Sequence, residues 1–120
     1  MKRLTPLCAA LCALLLPVLA PAQDLVQTAG KNAKVVLDNA DVRVIELNMP
    51  PGSSTGMHAH KTDQLVVFLT GGTAKQTTAD GKTRELTRKA GEVAWSAPVT
   101  HDTTNQGKTP VRTLVIELKK

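Results

Sequence analysis

Aromatic residues are almost missing from this chain: among 120 residues there is no tyrosine, one phenylalanine (Phe68) and one tryptophan (Trp95). A protein that stacks nucleobases needs more aromatic faces than these two. The basic residues are scattered, and Arg88-Lys89 and Lys119-Lys120 are only pairs, read as solvated turns and ends. The sequence therefore offers no nucleic-acid partner. Cysteine is as scarce, with Cys8 and Cys12 both in the first twenty-two residues. Nothing after them can form a disulfide, so the rest must fold on packing alone.

Those first residues read MKRLTPLCAALCALLLPVLAPA. Lys2 and Arg3 form a positive start, a Leu/Ala-rich run follows, and Ala20-Pro21-Ala22 gives the small-x-small pattern of a cleavage site. Pro6 and Pro17 interrupt the apolar run, which is short for a membrane span. Residues 1–22 are thus expected to be a signal peptide, with a periplasmic or secreted product and no membrane contact after cleavage. Cleavage removes both cysteines, Lys2 and Arg3, and lowers the formal charge from +5 to +3. What remains is one small domain, of a size that often needs a partner subunit.

Residues 23–34 are polar and small, and are expected to be an arm that packs late. From Val35 onward the pattern is that of strands. KVVLD and DVRVIELNM are β-branched runs on either side of an Asn39-Ala40 turn, and Pro50-Pro51-Gly52 ends the second. QLVVFLT is a nearly continuous apolar run closed by Gly71-Gly72, which predicts a strand covered on both faces. TAKQTT and KTRELT flank Ala79-Asp80-Gly81, a hairpin signal. GEVAWS, HDTTN and VRTLVIEL complete the series, the last with Leu114, Ile116 and Leu118 on one face and Val115 and Glu117 on the other. Many short strands between turn signals predict an all-β sandwich or barrel. The likeness of VRVIEL to VRTLVIEL reads as two similar core strands.

All three histidines of the chain fall within this β region. His58 and His60 are two apart, so on a strand both imidazoles point to one face. Gln64 shares their parity and joins them if the strand runs on through Lys61-Thr62-Asp63, with Val66 and Phe68 lining the same interior. His101, on a later strand, closes the site from across a barrel. Three neutral imidazoles and one oxygen are a reasonable ligand set for a divalent transition metal.

The spacing resembles the cupin superfamily. Gly52, five residues, His58-x-His60, three residues, Gln64, six residues and Gly71 are similar to its first motif, with Gln64 standing where the family has glutamate. Gly91, a strand, Pro98, His101, three residues and Asn105 resemble the second, with the proline shifted by one and Val99 in place of a glycine. The resemblance covers Val42 to Leu118. It implies a small antiparallel β-barrel (the double-stranded β-helix or jelly roll) over residues 35–120, and a homodimer. It also implies metal ligation by His58, His60, Gln64 and His101, with Gly52, Gly71, Gly91 and Asn105 as scaffold. The metal is open among zinc, iron, nickel, copper and manganese.

A glutamine ligand is neutral. It leaves the ion's charge undiminished, which weakens metal affinity, acidifies a bound water, holds an anion more firmly and makes higher oxidation states harder to reach. The functions that follow are a metal-dependent dioxygenase or isomerase acting on a small oxygenated substrate, a binding module that holds a metal and a small ligand without turnover, or a metal-free barrel. Other residues carry two readings. Trp95 is either core or, beside Phe68, part of the pocket mouth. Arg43, Arg84 and Arg112 either reach an anionic ligand or point outward. Asp63 and Asp102 either orient a histidine or lie in water. Met49 and Met57 are read as packing, with Met57 a possible soft copper contact.

Overall fold

The computed structural model describes residues 23–120. The signal-peptide reading of residues 1–22, and with it both cysteines, lies outside the described residues. The described chain contains nine strands in two antiparallel sheets. They are β1 (Ala33–Asp38), β2 (Val42–Met49), β3 (His58–His60), β4 (Gln64–Phe68), β5 (Gly72–Thr78), β6 (Thr83–Arg88), β7 (Val93–Ser96), β8 (Val99–Asn105) and β9 (Val111–Leu118). One sheet has the order β1-β2-β9-β4-β7 and the other β3-β8-β5-β6. The sheets face each other without closing, which leaves one edge pair at β1 and β3 and another at β6 and β7.

The two similar sequences are direct neighbours. β2 and β9 pair without interruption from Val42↔Leu118 to Met49↔Val111. Their shared run of β-branched residues suits a central ladder, where each branched side chain packs on the next. Tight turns join the other strands as their residues dictate. The Asn39 side chain accepts from the amides of Asp41 and Val42 between β1 and β2. Gly81, at φ 85°, takes the left-handed position between β5 and β6 that other residues avoid.

Residues 23–34 are not a loose arm. Leu25–Ala29 form a helical turn, α1, and the chain is already in β1 at Ala33. The Asp24 side chain accepts from the Val26 amide while Gln27 accepts from the Asp24 amide, a reciprocal cap. Five residues cannot hold a helix by themselves. Burial holds this one: Leu25 is 1% exposed and packs with Ile45, Leu47, Met49 and Val115. α1 touches both β1 and β3 and so covers that edge pair. The sequence reading missed it because a single buried leucine leaves no period to detect.

Strand faces are also corrected. On β9 the interior side is Val111, Thr113, Val115 and Glu117, while Leu114, Ile116 and Leu118 are only half-buried on the outer side. β4 is not covered on both faces either, since its outer Leu65 and Val67 remain half-buried. The more polar faces turn inward because the interior is a chamber as well as a core. Among the described residues, eight buried polar or charged residues stand against seven buried hydrophobic ones.

Leu25→Ala is expected to cost about 2–5 kcal/mol, the range for a leucine removed from a packed core. Urea unfolding measures it, and a loss within error of zero would return α1 to the status of an arm.

Candidate metal centre

β3 and β8 pair antiparallel with His58 directly opposite His101. His101 therefore stands beside the pair in the same sheet, and does not close the site from across the barrel. The shifted proline is absorbed, since Pro98 lies just before β8 and His101 is still buried. Gln64 does come from across. After His60 the chain leaves the second sheet and enters the first at β4, so β3 and β4 are not one strand. The parity argument reached the right residue by a wrong path. Gln64 is 1% exposed and lines one internal cavity of about 60 Å³ together with His58, His60 and His101. Val66 lines it too.

One ring nitrogen from each of the three histidines lies within 4.8 Å of those of the other two. The rings meet edge to face, with centroids 4.7 Å apart for His58 and His60 and 4.8 Å for His58 and His101. Two tautomers follow from the partners. His58 Nδ1 lies 2.8 Å from the Gly56 carbonyl, and an oxygen that can only accept makes Nδ1 the donor. His60 Nδ1 lies 3.3 Å from Glu117 Oε2 and donates likewise. Both Nε2 atoms are then acceptors in the neutral rings, and they face each other at 2.9 Å. Two lone pairs this close repel unless something positive lies between them, either a shared proton or a metal ion. Burial favours the neutral form of two of the rings: it lowers His58 and pushes His101 down to about 3, helped there by the neighbouring histidines. Gln64 Oε1, buried and without a hydrogen-bond partner, completes a donor set that fits a divalent transition metal.

The orienting groups are not the ones the sequence suggested. Asp102 accepts from the hydroxyls of Ser54 and Thr55 and does not reach a histidine. Met57 is exposed and alternates away from His58. The carboxylate on His60 is Glu117, cross-strand partner of Gln64 in the β4–β9 ladder. Burial raises this carboxyl, but His60 and Arg43 outweigh it and hold it below its ordinary range. Arg43 donates to Glu117 Oε1 at 2.6 Å and to Asp24 with its two terminal nitrogens. It lies on the inner face of β2, contrary to its reading as an outward residue. Gly56, whose carbonyl anchors His58, has φ 74°, and a Cβ there would press on Thr28 of α1 at 3.2 Å. No spacing rule connects Arg43 or Glu117 to the histidines. Their signal was one charge on the inner face of each of two strands whose other inward residues are apolar except for Thr113.

Beyond the cavity, a wider cleft of about 360 Å³ opens between β6 and β7. It shares Gln64, Val66, Gln76 and His101 with the inner chamber, and Phe68 lines its wall. Trp95 sits on its rim and is 60% exposed, so it is not a core residue. Asn105 is scaffold as expected: its side chain donates to the carbonyls of Met49 and Thr109 and accepts from the Gly107 amide.

Glu117→Gln keeps the shape but removes the charge behind His60. Metal affinity is expected to fall roughly 10–100-fold, as for other lost outer partners of a ligating histidine. A chelator-competition titration reads it, and unchanged affinity would make Glu117 a structural anchor only.

No protein-family model matches the sequence. The chain is 37% identical over 86 residues to the beta-alanine degradation protein BauB of Pseudomonas aeruginosa, a match that spans 71% of this chain and 90% of that protein. The crystal structure of a cupin domain from Bordetella pertussis Tohama I superposes with a TM-score of 0.69 and 31% identity, covering 73% of this chain and 92% of the other. An RmlC-like cupin with a double-stranded β-helix fold from Methanocaldococcus jannaschii shares the fold at a TM-score of 0.61 and 13% identity, over 84% and 91% of the two chains. With two facing sheets, the paired histidine motifs and a Bordetella relative matched over nearly its whole length, the chain belongs to the cupin superfamily.

Proposed function

We propose that this chain is an exported metal-dependent cupin. Its divalent transition metal (zinc, iron, nickel, copper or manganese) is held by His58, His60 and His101 with Gln64 as a neutral fourth ligand. It acts as a dioxygenase or isomerase on a small oxygenated substrate. The observation that carries the metal is the convergence of three buried histidines on one point beside the buried, unpartnered Gln64 Oε1. Export is supported by the pattern of the first twenty-two residues.

A divalent ion bound there supplies Lewis-acid polarisation of an oxygen donor, or a place for O₂ to bind. The chain's own residues set the conditions. Glu117 and Gly56 fix two imidazole tautomers, so that lone pairs and not protons face the chamber. Gln64 adds an oxygen without charge, so the centre keeps its full positive charge toward whatever enters from the cleft. Leu25, Leu47, Val66 and Val115 wall the chamber and restrict water.

A second reading has its own support. No carboxylate lines the cleft, and Glu117 is tied to Arg43 and His60. With no free acid or base beside the substrate's path, the module holds a metal and a small ligand without turnover. One preparation separates the readings. Protein recovered from the periplasm without a histidine tag is expected to carry one metal per chain by elemental analysis. His58→Ala loses it, and Gln64→Glu retains it more tightly. O₂ uptake or product formation across diketones, phenols and hydroxy acids then marks an enzyme, and saturable binding alone marks a binding module. A wild type that stays metal-free after reconstitution would sink both.

A second copy of the chain is the proposed occupant of the outer face of the first sheet. Val44, Leu65, Val67, Leu114 and Ile116 are half-buried there, while Val93 and Trp95 are 59% and 60% exposed. Arg112 pairs with Glu46 on the same face, so its charge is balanced within the chain. Sedimentation velocity is expected to give a dimer that Trp95→Lys dissociates, and a monomeric wild type at micromolar concentration would refute it.

A further inference from the structure

The barrel is closed on one side and open on the other. α1 covers the β1 and β3 edges, whereas β6 and β7 flank the cleft that leads to His101 and Gln64. β6 is an edge strand, yet its inner face reads Arg84, Leu86, Arg88, and all three line the cleft. Arg84 is exposed and Arg88 half-buried, so both guanidiniums are open to a ligand that enters the cleft. The cleft lining contains no aspartate or glutamate, and the carboxylate near Arg88, Glu92, lies outside that lining.

Each guanidinium is held in place and left partly unused. Arg84 donates from Nε and Nη2 to Oε1 of Gln76, its cross-strand partner, at 3.1 and 2.9 Å. Arg88 stands over the Phe68 ring, 5.9 Å from its centroid. Its Nη1 approaches Glu92 at 3.6 Å, while its Nε is cut off from solvent and has no partner. The other buried side-chain atom without a partner among the described residues is Gln64 Oε1, on the same cleft. One group is a donor waiting for an acceptor, and the other an acceptor waiting for a cation. A ligand with an anionic head, reaching inward to the histidines, satisfies the arginines while the metal satisfies Gln64.

We propose that this cleft is a carboxylate site, in which Arg84 and Arg88 bind the carboxylate of a small organic acid and point its remaining oxygen-bearing end at the histidine centre. Planar guanidinium matches planar carboxylate, with paired N–H donors on the two oxygens. The neutral Gln64 adds to the selection, because an ion whose charge is not reduced by a glutamate ligand attracts an anion more strongly. The proposal rests on the metal-cupin reading for its inner end and on the arginines alone for its outer end.

The test is isothermal titration of the zinc-loaded full-length mature protein with succinate, malonate and lactate, with malonamide and lactamide as neutral counterparts, and with inorganic phosphate. The zinc content of each sample is measured alongside. At least one carboxylate is expected to bind saturably and neither amide to bind. Arg84→Gln and Arg88→Gln are each expected to weaken that binding at least roughly tenfold, the loss of a charge-assisted contact, with zinc content unchanged. Binding of carboxylate and amide alike, arginine variants as tight as wild type, or no carboxylate binding by zinc-loaded protein would each overturn the proposal. Phosphate bound as tightly as the acids would overturn its carboxylate selectivity. If the wild type holds no zinc but still binds a carboxylate through Arg84 and Arg88, the carboxylate site stands and the metal reading fails.

Discussion

Three imidazoles share one buried chamber, and two of them have their second nitrogen engaged by a group outside the cluster. This constraint organises the molecule. His58 leans on a carbonyl supplied by a glycine in left-handed conformation. His60 leans on a carboxylate that is itself neutralised by Arg43, which in turn reaches Asp24 at the start of α1. A buried carboxylate is costly without a partner, so Glu117, Arg43 and Asp24 belong together as one unit. The cap of the N-terminal helix and the orientation of a candidate metal ligand are therefore parts of the same network.

That network changes the meaning of Gln64. Within the family pattern a glutamate at this position places negative charge directly at the ion. Here the interior carboxylate stands on the neighbouring strand, across the ladder from Gln64, and meets the histidine cluster only at His60. The chamber keeps a nearby negative charge for orientation, while the three histidines able to hold a metal are joined by a neutral amide. A centre of this kind is tuned toward binding anions more than toward supporting high oxidation states. The basic, carboxylate-free lining of the adjoining cleft is consistent with the same bias.

Much was legible in advance. The succession of strands along the chain, the hairpin at Asp80-Gly81 and the clustering of His58, His60, Gln64 and His101 follow from alternation, turn residues and motif spacing. What escaped was long-range. The crossing from β3 to β4 cannot be read from parity, because a run of three polar residues serves equally as a bend or as a passage between sheets. The inward turn of Glu117 was hidden by the apolar Leu114, Ile116 and Leu118, which periodicity alone assigns to a core. Of the two readings of Trp95, the pocket mouth beside Phe68 is the one that holds, and periodicity could not choose it because the outer side of a sheet can be as apolar as the inner side.

The sequence by itself determined the local elements and the ligand types, because period-two patterning and turn chemistry act between residues close along the chain. Only the tertiary structure decided that His101 stands beside His58, that Gln64 and Glu117 approach from the opposite sheet, that α1 covers one side of the barrel and that Arg84 and Arg88 flank the other. Those relations depend on which strands become neighbours, and that is settled by the packing of two whole sheets and not by any segment within them.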